Sequence, residues 1–366
     1  MHRLGWMLLL AGLAGCSSAR QPARQPGTVL PVEPPRRSDT NRPGGRQPAP
    51  VPLRPAPNSP LTIGQFEAGN FGDEFDRQRL FKRLTDLSFF TQLGREMIVR
   101  KIEYGSSDGV TIPAYFFAPR DTTRRRAALI FVHGGVHGDL TDLYIPHIRS
   151  LIREGYVIVA PEYRGSTGYG KGFYDMIDYG GKEVDDVLAA RDYLKLFAPY
   201  ADLSRLGIIG WSHGGFITLH SIFRHPELFK VAVAHVPVAD LPTRIRTHSA
   251  EYQRIFAQQP GFRGTLAERP EAYIERSPIA HVRELHTPLL VHAATNDDDV
   301  FIIENRNLRD SMVAAGKDRA GLYWYREWDN PPGGHEFNRV DTKQGRESWG
   351  KTMIFLNSYL RPRMQH

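Results

Sequence analysis

Gly210-Trp211-Ser212-His213-Gly214-Gly215 sets a serine between two glycines, the spacing of a nucleophile carried on a sharp strand-to-helix turn. Residues 206–210 read as a short buried strand, and a helical pattern follows His213. Small residues at 210 and 214 then leave the hydroxyl standing above the carboxyl end of the strand, with a helix N-terminus behind it. The partial positive charge of that terminus and the backbone N–H of His213 face the place where an attacked carbonyl develops negative charge.

A serine hydroxyl is a weak nucleophile until a base takes its proton. In a sheet of this kind the chain order is serine, acid, histidine, each on a loop after a successive strand. Candidates stand in that order: Asn296-Asp297-Asp298-Asp299-Val300 follows the apolar run 288–293, and Gly333-Gly334-His335 follows the run 321–328. His335 is the expected base, and Asp297 the expected carboxylate that orients the imidazole and stabilises its cation. Three adjacent aspartates leave Asp298 as the alternative acid. The chain's other histidines fall mostly in strands, helices or the N-terminal segment, where a packed or exposed ring is the ordinary explanation.

A second glycine-rich segment, His133-Gly134-Gly135-Val136-His137-Gly138, follows the run 127–132. Glycines let backbone N–H groups approach a substrate closely, so Gly134 and Gly135 join His213 as the expected oxyanion donors. His133 and His137 are four apart, but they lie in a loop and lack the glutamate of H-E-x-x-H, so no metal is expected. Nor is any other cofactor: there is no G-x-x-x-x-G-K-[ST] to cradle a phosphate.

The elements that must position these residues show as alternation. A helix is expected over 75–90, then two strands, 97–104 and 112–118, joined by Ser106-Ser107-Asp108-Gly109, a sequence suited to a tight turn. Short, nearly continuous apolar runs at 127–132, 156–160, 206–210, 231–235 and 288–293 suit buried parallel strands. Between them the clearest helix is 182–197, with Val184, Val187, Leu188 and Leu194 on one face and charge expected on the other. The pattern predicts an α/β fold, a mostly parallel twisted sheet covered by helices on both faces. Residues 241–277 interrupt the alternation as a small helical cap, whose Tyr252, Phe256 and Tyr273 are candidates either for an acyl pocket or for plain core.

Composition narrows the partners. The chain of 366 residues carries a formal charge of +7. Residues 1–60 hold eight arginines against Glu33 and Asp39, so nearly all the excess lies there and the rest is close to neutral. A nucleic-acid groove would need that charge on the folded part, and nucleic acid is discounted. His2 and Arg3 followed by the apolar run 4–13 read as an export signal too short to span a bilayer. Leu13-Ala14-Gly15-Cys16 resembles a bacterial lipobox, which makes Cys16, the only cysteine, the expected site of lipid attachment and the start of the mature chain. Ser17 in the next position resembles lipoproteins sorted to the outer membrane of a Gram-negative envelope. Residues 17–60, rich in proline and arginine, are expected to be a disordered tether, with the catalytic domain over 61–366.

Taken together, His133-Gly134-Gly135, Arg164-Gly165-Ser166-Thr167-Gly168-Tyr169-Gly170, Gly210-Trp211-Ser212-His213-Gly214-Gly215 and Gly334-His335 resemble the catalytic domain of the prolyl oligopeptidase family over roughly residues 98–360. The resemblance implies an α/β-hydrolase fold and serine-peptidase chemistry on short peptides at Ser212, His335 and Asp297. Asp297 is implied because relatives place a valine three residues after the acid, as Val300 stands here. Most such peptidases carry an N-terminal β-propeller that screens substrates, whereas about seventy folded residues are expected before His133. That contrast makes a carboxylesterase acting on small acyl esters the alternative expectation, and a non-catalytic binding lipoprotein the third.

Overall fold

A computed structural model describes residues 73–361. The export-signal segment, Cys16, the tether and the expected domain start at 61 lie outside the described residues. Helix α1 (Glu74–Leu93) opens on Asp73, whose side chain accepts the N–H of Asp76 at 2.9 Å, and Glu74 and Asp76 complement its positive end. Strands β1 (Ile98–Gly105) and β2 (Thr111–Ala118) pair antiparallel with Gly105 opposite Thr111. The turn between them is closed by Ser106 N–H on the Val110 carbonyl at 2.8 Å.

Strand β3 (Arg126–Val132) leads through helix α2 (Ile145–Arg153) to β4 (Val157–Pro161), and the short α3 (Lys171–Tyr174) and α4 (Lys182–Phe197) lead to β5 (Ala201–Trp211). Then come α5 (His213–Arg224) and β6 (Val231–His235), followed by the three short cap helices α6 (Leu241–Thr247), α7 (Ala250–Ala257) and α8 (Pro270–Glu275). Strand β7 (Leu289–Ala294), α9 (Ile302–Ala314), β8 (Tyr323–Trp328) and α10 (Lys343–Leu360) complete the order.

The eight strands form one sheet in the order β1-β2-β4-β3-β5-β6-β7-β8. β1, β2 and β4 are antiparallel neighbours, and every pairing from β4 through β8 is parallel. β4 and β6 are buried along their whole length, as a sheet covered on both faces requires. On one face Phe89 of α1, Ile148 of α2 and Leu356 and Leu360 of α10 pack on Leu129, Ile158 and Val233. On the other, Val184 and Val187 of α4, Phe216 and Ile217 of α5 and Leu308 of α9 pack on Ile130, Ile208 and Val291. Each fully buried aliphatic or phenyl side chain contributes about 1.5–3 kcal/mol of transfer free energy.

Helix α4 departs from its expected polarity. Val184, Val187 and Leu194 are buried as expected and Leu188 partly so, but Glu183 and Asp186 are buried too. Asp186 is there because Arg164 needs it. The Arg164 guanidinium donates to both Asp186 oxygens at 2.6 and 2.8 Å and to both Asp108 oxygens at 2.9 and 3.0 Å. It thereby ties the β1–β2 turn to α4 beneath the Arg164–Gly170 loop. Periodicity registers apolar faces and is blind to a buried ion pair that replaces part of one.

Candidate active site

Ser212 stands between the end of β5 and the first residue of α5, with φ 55° and ψ −118°, a left-handed conformation that costs a non-glycine residue about 1–3 kcal/mol. The fold holds it there by donation of Ser212 N–H to the His235 carbonyl at 2.8 Å and by Phe216 N–H on the Ser212 carbonyl at 2.9 Å. The turn also requires its flanking glycines: a Cβ at 210 would lie 2.1 Å from the Gly214 oxygen, and one at 214 would lie 2.3 Å from the His133 oxygen. The helix begins at His213 itself, one residue earlier than expected, so the His213 N–H is a first-turn donor without an intrahelical acceptor.

Asp297 and His335 meet. The loop after β7 buries Asp297 to 5% exposure, and its Oδ1 accepts the N–H groups of Asp299 at 3.0 Å and Val300 at 2.8 Å. Both carboxylate oxygens then lie 2.8–2.9 Å from His335 Nδ1, which comes from the loop after β8. A carboxylate only accepts, so Nδ1 carries the hydrogen and Nε2 keeps a lone pair. Asp298, the alternative acid, is exposed and makes no hydrogen bond to His335. Burial alone would lower the His335 pKa, but the hydrogen bond and charge of Asp297, with a smaller contribution from Asp299, outweigh it and hold the imidazole above its ordinary range. His133, His147, His220, His235 and His292 are also buried, and each is pushed down by burial, His133 and His147 to about 4. Among the described histidines that shift, His335 alone shifts upward.

No hydrogen bond joins Ser212 to His335 among the described residues. Nε2 instead faces Asp299 Oδ2 at 3.6 Å. Ligand-free sites commonly show loose catalytic contacts that tighten around substrate. The histidine loop is nonetheless tied to the nucleophile strand, where Trp211 Nε1 donates to Asn338 Oδ1 at 3.1 Å, and to the turn before α2, where Arg339 Nη1 donates to the Tyr144 hydroxyl at 3.1 Å. Neither Asn338 nor Tyr144 stood out in the sequence, since a lone amide or phenol between elements has no spacing to betray it.

The loop after β3 differs from expectation in one residue. Gly134 packs against the nucleophile, since a Cβ there would lie 3.3 Å from Ser212 Cβ, but its N–H already donates to the Tyr144 hydroxyl at 3.1 Å. Gly135 keeps an N–H with no acceptor among the described residues. Of the three expected donors, the N–H groups of Gly135 and His213 are the ones without an acceptor among the described residues, and Gly134 lies against Ser212. His133 points away from chemistry. Its Nδ1 donates to the Gly134 carbonyl at 2.9 Å and its Nε2 lies 3.1 Å from Ser166 Oγ.

Over the site, the cap resolves into α6, α7 and α8. Phe256 and Tyr273 are buried, their rings packed at tilted angles on Phe262 and, for Phe256, edge-on against Tyr179. Of the two expectations for these aromatics the core reading holds, and Tyr252 is engaged as acceptor of Arg244 Nε at 2.8 Å. Arg244 of α6, itself buried, binds Asp299 Oδ1 at 2.7 Å and Glu304 at 3.1 Å, which joins the cap to the acid loop.

Strand order, strained serine turn and loops on the carboxyl edge define an α/β-hydrolase. The model of the prolyl oligopeptidase family matches residues 144–361, and the chain belongs to that family, which places it among the serine hydrolases. It is 30% identical over 225 residues to the uncharacterized peptidase YuxL of Bacillus subtilis, covering 60% of this chain and 34% of the relative. It is 29% identical over 206 residues to acylamino-acid-releasing enzyme 1 of Oryza sativa subsp. japonica, covering 52% of this chain and 26% of that enzyme. Among solved structures, a puromycin-hydrolyzing peptidase of Mycobacterium tuberculosis superposes with a TM-score of 0.61 at 27% identity over 72% of this chain and 40% of its own. The acylaminoacyl peptidase of Pyrococcus horikoshii, at 21% identity and a TM-score of 0.64, covers 76% of this chain and 44% of its own and shares the fold. The chain spans about a third or less of the length of these two curated relatives.

Proposed function

We propose that this protein hydrolyses the amide bonds of short peptides through an acyl-enzyme on Ser212. Nε2 of His335 takes the Ser212 proton as the oxygen attacks the carbonyl. The tetrahedral oxyanion is received by the N–H groups of Gly135 and His213. His335 then returns the proton to the leaving amine, and water repeats the sequence to release the acid. Asp297 holds the ring by Nδ1 throughout and stabilises its cation. The observation that carries this reading is the Asp297–His335 pair at 2.8 Å on the same sheet edge as a serine at φ 55°. Kinship to peptidases supports amide rather than ester substrates, while the same residues serve either bond. Parallel panels of unblocked and N-acylated aminoacyl anilides, short peptides and nitrophenyl esters test it. Turnover of the anilides or peptides that disappears in Ser212→Ala is expected, and ester turnover alone would select the carboxylesterase.

Attachment to a bacterial envelope by a lipid on Cys16 is a separate proposal, resting on the Leu13–Cys16 sequence and the basic stretch behind it. Detergent-phase partitioning of the full chain, lost in Cys16→Ser, is the expected result; equal partitioning of the two would refute it.

A further inference from the structure

The loop of residues 133–140 carries the Gly135 amide, and its far end rests on a buried carboxylate. Glu162, just past β4, is fully buried. Its Oε2 lies 3.4 Å from His133 Nε2, and its two oxygens are 3.3 and 3.4 Å from the Leu140 N–H. A second acid within the loop, Asp139, accepts Thr167 Oγ1 at 3.2 Å, while Thr167 N–H donates to the Gly138 carbonyl at 2.9 Å.

Between the two carboxylates sits an ammonium from the far side of the fold. Lys82, in the middle of α1 and 3% exposed, pairs with Glu162, with Asp139 at 3.0 Å and with the Leu140 carbonyl at 3.1 Å. All three of its donors are used. The approach depends on Gly168, at φ +89°, where a Cβ would fall 2.6 Å from Lys82 Cβ. Burial pulls against the Lys82 charge, yet the two acids hold its pKa above the ordinary value. Neither α1 nor the loop lies within residues 144–361, where the family model matches.

We propose, resting on the serine-hydrolase reading above, that Lys82 is a positioning residue for the reaction: by binding Glu162 and Asp139 it sets the 133–140 loop so that the Gly135 N–H meets the oxyanion. Oxyanion donors act at about 2.7–3.1 Å from the developing charge, a window of a few tenths of an ångström, and a misplacement of 1 Å costs about 100-fold. Without Lys82, the buried Glu162 and the part-buried Asp139 face one another uncompensated, and the loop that carries one of them and leans on the other must shift. The effect falls on the transition state. It therefore lowers kcat and leaves KM nearly unchanged.

The test measures kcat and KM of the full chain on a nitrophenyl ester for wild type, Lys82→Met, Glu162→Gln and the double variant. Assays run well below each variant's thermal midpoint, and kcat is expressed per site labelled to completion by a fluorophosphonate. Lys82→Met should lose about 10- to 100-fold in kcat with KM within about twofold. Adding Glu162→Gln, which removes the uncompensated charge while keeping an acceptor for Leu140, should recover about tenfold. A per-site kcat equal to wild type in Lys82→Met, or a loss that Glu162→Gln leaves untouched, overturns the inference. If Lys82→Met fails to fold, Glu162→Gln alone decides, with a several-fold loss in kcat at constant KM supporting the inference and an unchanged kcat overturning it. A wild-type chain that takes no label overturns the serine-hydrolase reading itself.

Discussion

Two histidines stand on loops at the carboxyl edge of the same sheet, both buried and both within reach of a buried carboxylate. His133 Nε2 lies 3.4 Å from Glu162, and His335 Nδ1 lies 2.8 Å from Asp297. Burial drives His133 down to about 4, whereas His335 rises. The difference lies in the bonds the two rings make. His335 Nδ1 donates to Asp297, whereas His133 is turned to the Gly134 carbonyl and the Ser166 hydroxyl and has the Lys82 charge working against its protonation. Asp297 makes no salt bridge to a lysine or arginine among the described residues and accepts only backbone N–H groups besides His335. An imidazole becomes a base suited to neutral pH by owning its carboxylate, and depth of burial does not decide it.

The comparison breaks most severely at the residues proposed above to do the chemistry. Ser212→Ala should abolish hydrolysis by about five to six orders of magnitude in kcat, measured by single-turnover assay, and Asp297→Asn should cost about 10⁴-fold because the ring loses the partner that fixes its tautomer. His133→Gln, by contrast, should leave the acid limb of the pH profile where it is and cost no more than about tenfold. An equal collapse of both histidine variants would erase the distinction drawn here.

The profile itself sharpens the point. The free base must be neutral, so kcat/KM should rise through an acid limb above the ordinary histidine value of about 6.5. Asp299→Asn should move that limb down by a few tenths of a unit, since a half-exposed carboxylate acts through screened charge. Stability carries the same sign: with its folded pKa raised, His335 contributes stability that is full below about pH 6.5 and fades as pH climbs through the folded value. A midpoint scan of wild type against Asp297→Asn should show the two curves converging toward alkaline pH. The smallest effect belongs to the tie between the loops. Asn338→Ala strands the indole N–H of Trp211, at about 1–3 kcal/mol in chemical denaturation.

Much of this was legible in the sequence wherever chemistry or burial imposes a period. The eight strands, helix α4 to its end residues and the chain order of serine, acid and histidine follow from apolar runs and from glycines a turn cannot replace. The choice among three aspartates was legible only through resemblance, because it depends on which side chain the loop turns inward, and backbone donors at Asp299 and Val300 hold Asp297 inward against His335. What escaped were groups defined by a partner far away in the chain: Lys82 with Glu162, Arg164 with Asp186, Tyr144 with Arg339 and Gly134. Each charged or aromatic member reads locally as an ordinary residue of its helix or loop. Only tertiary structure shows that it is buried and what it holds.

The central claim is that Ser212 is a nucleophile activated by His335. Its most direct test is the mass of protein lacking residues 1–60 after fluorophosphonate treatment, with the adduct located by peptide mapping in wild type, Ser212→Ala and His335→Gln. A single adduct on Ser212, absent in Ser212→Ala and slowed by at least about 100-fold in His335→Gln, is the predicted result. Equal labelling of wild type and His335→Gln, or an adduct on another residue, would contradict the account.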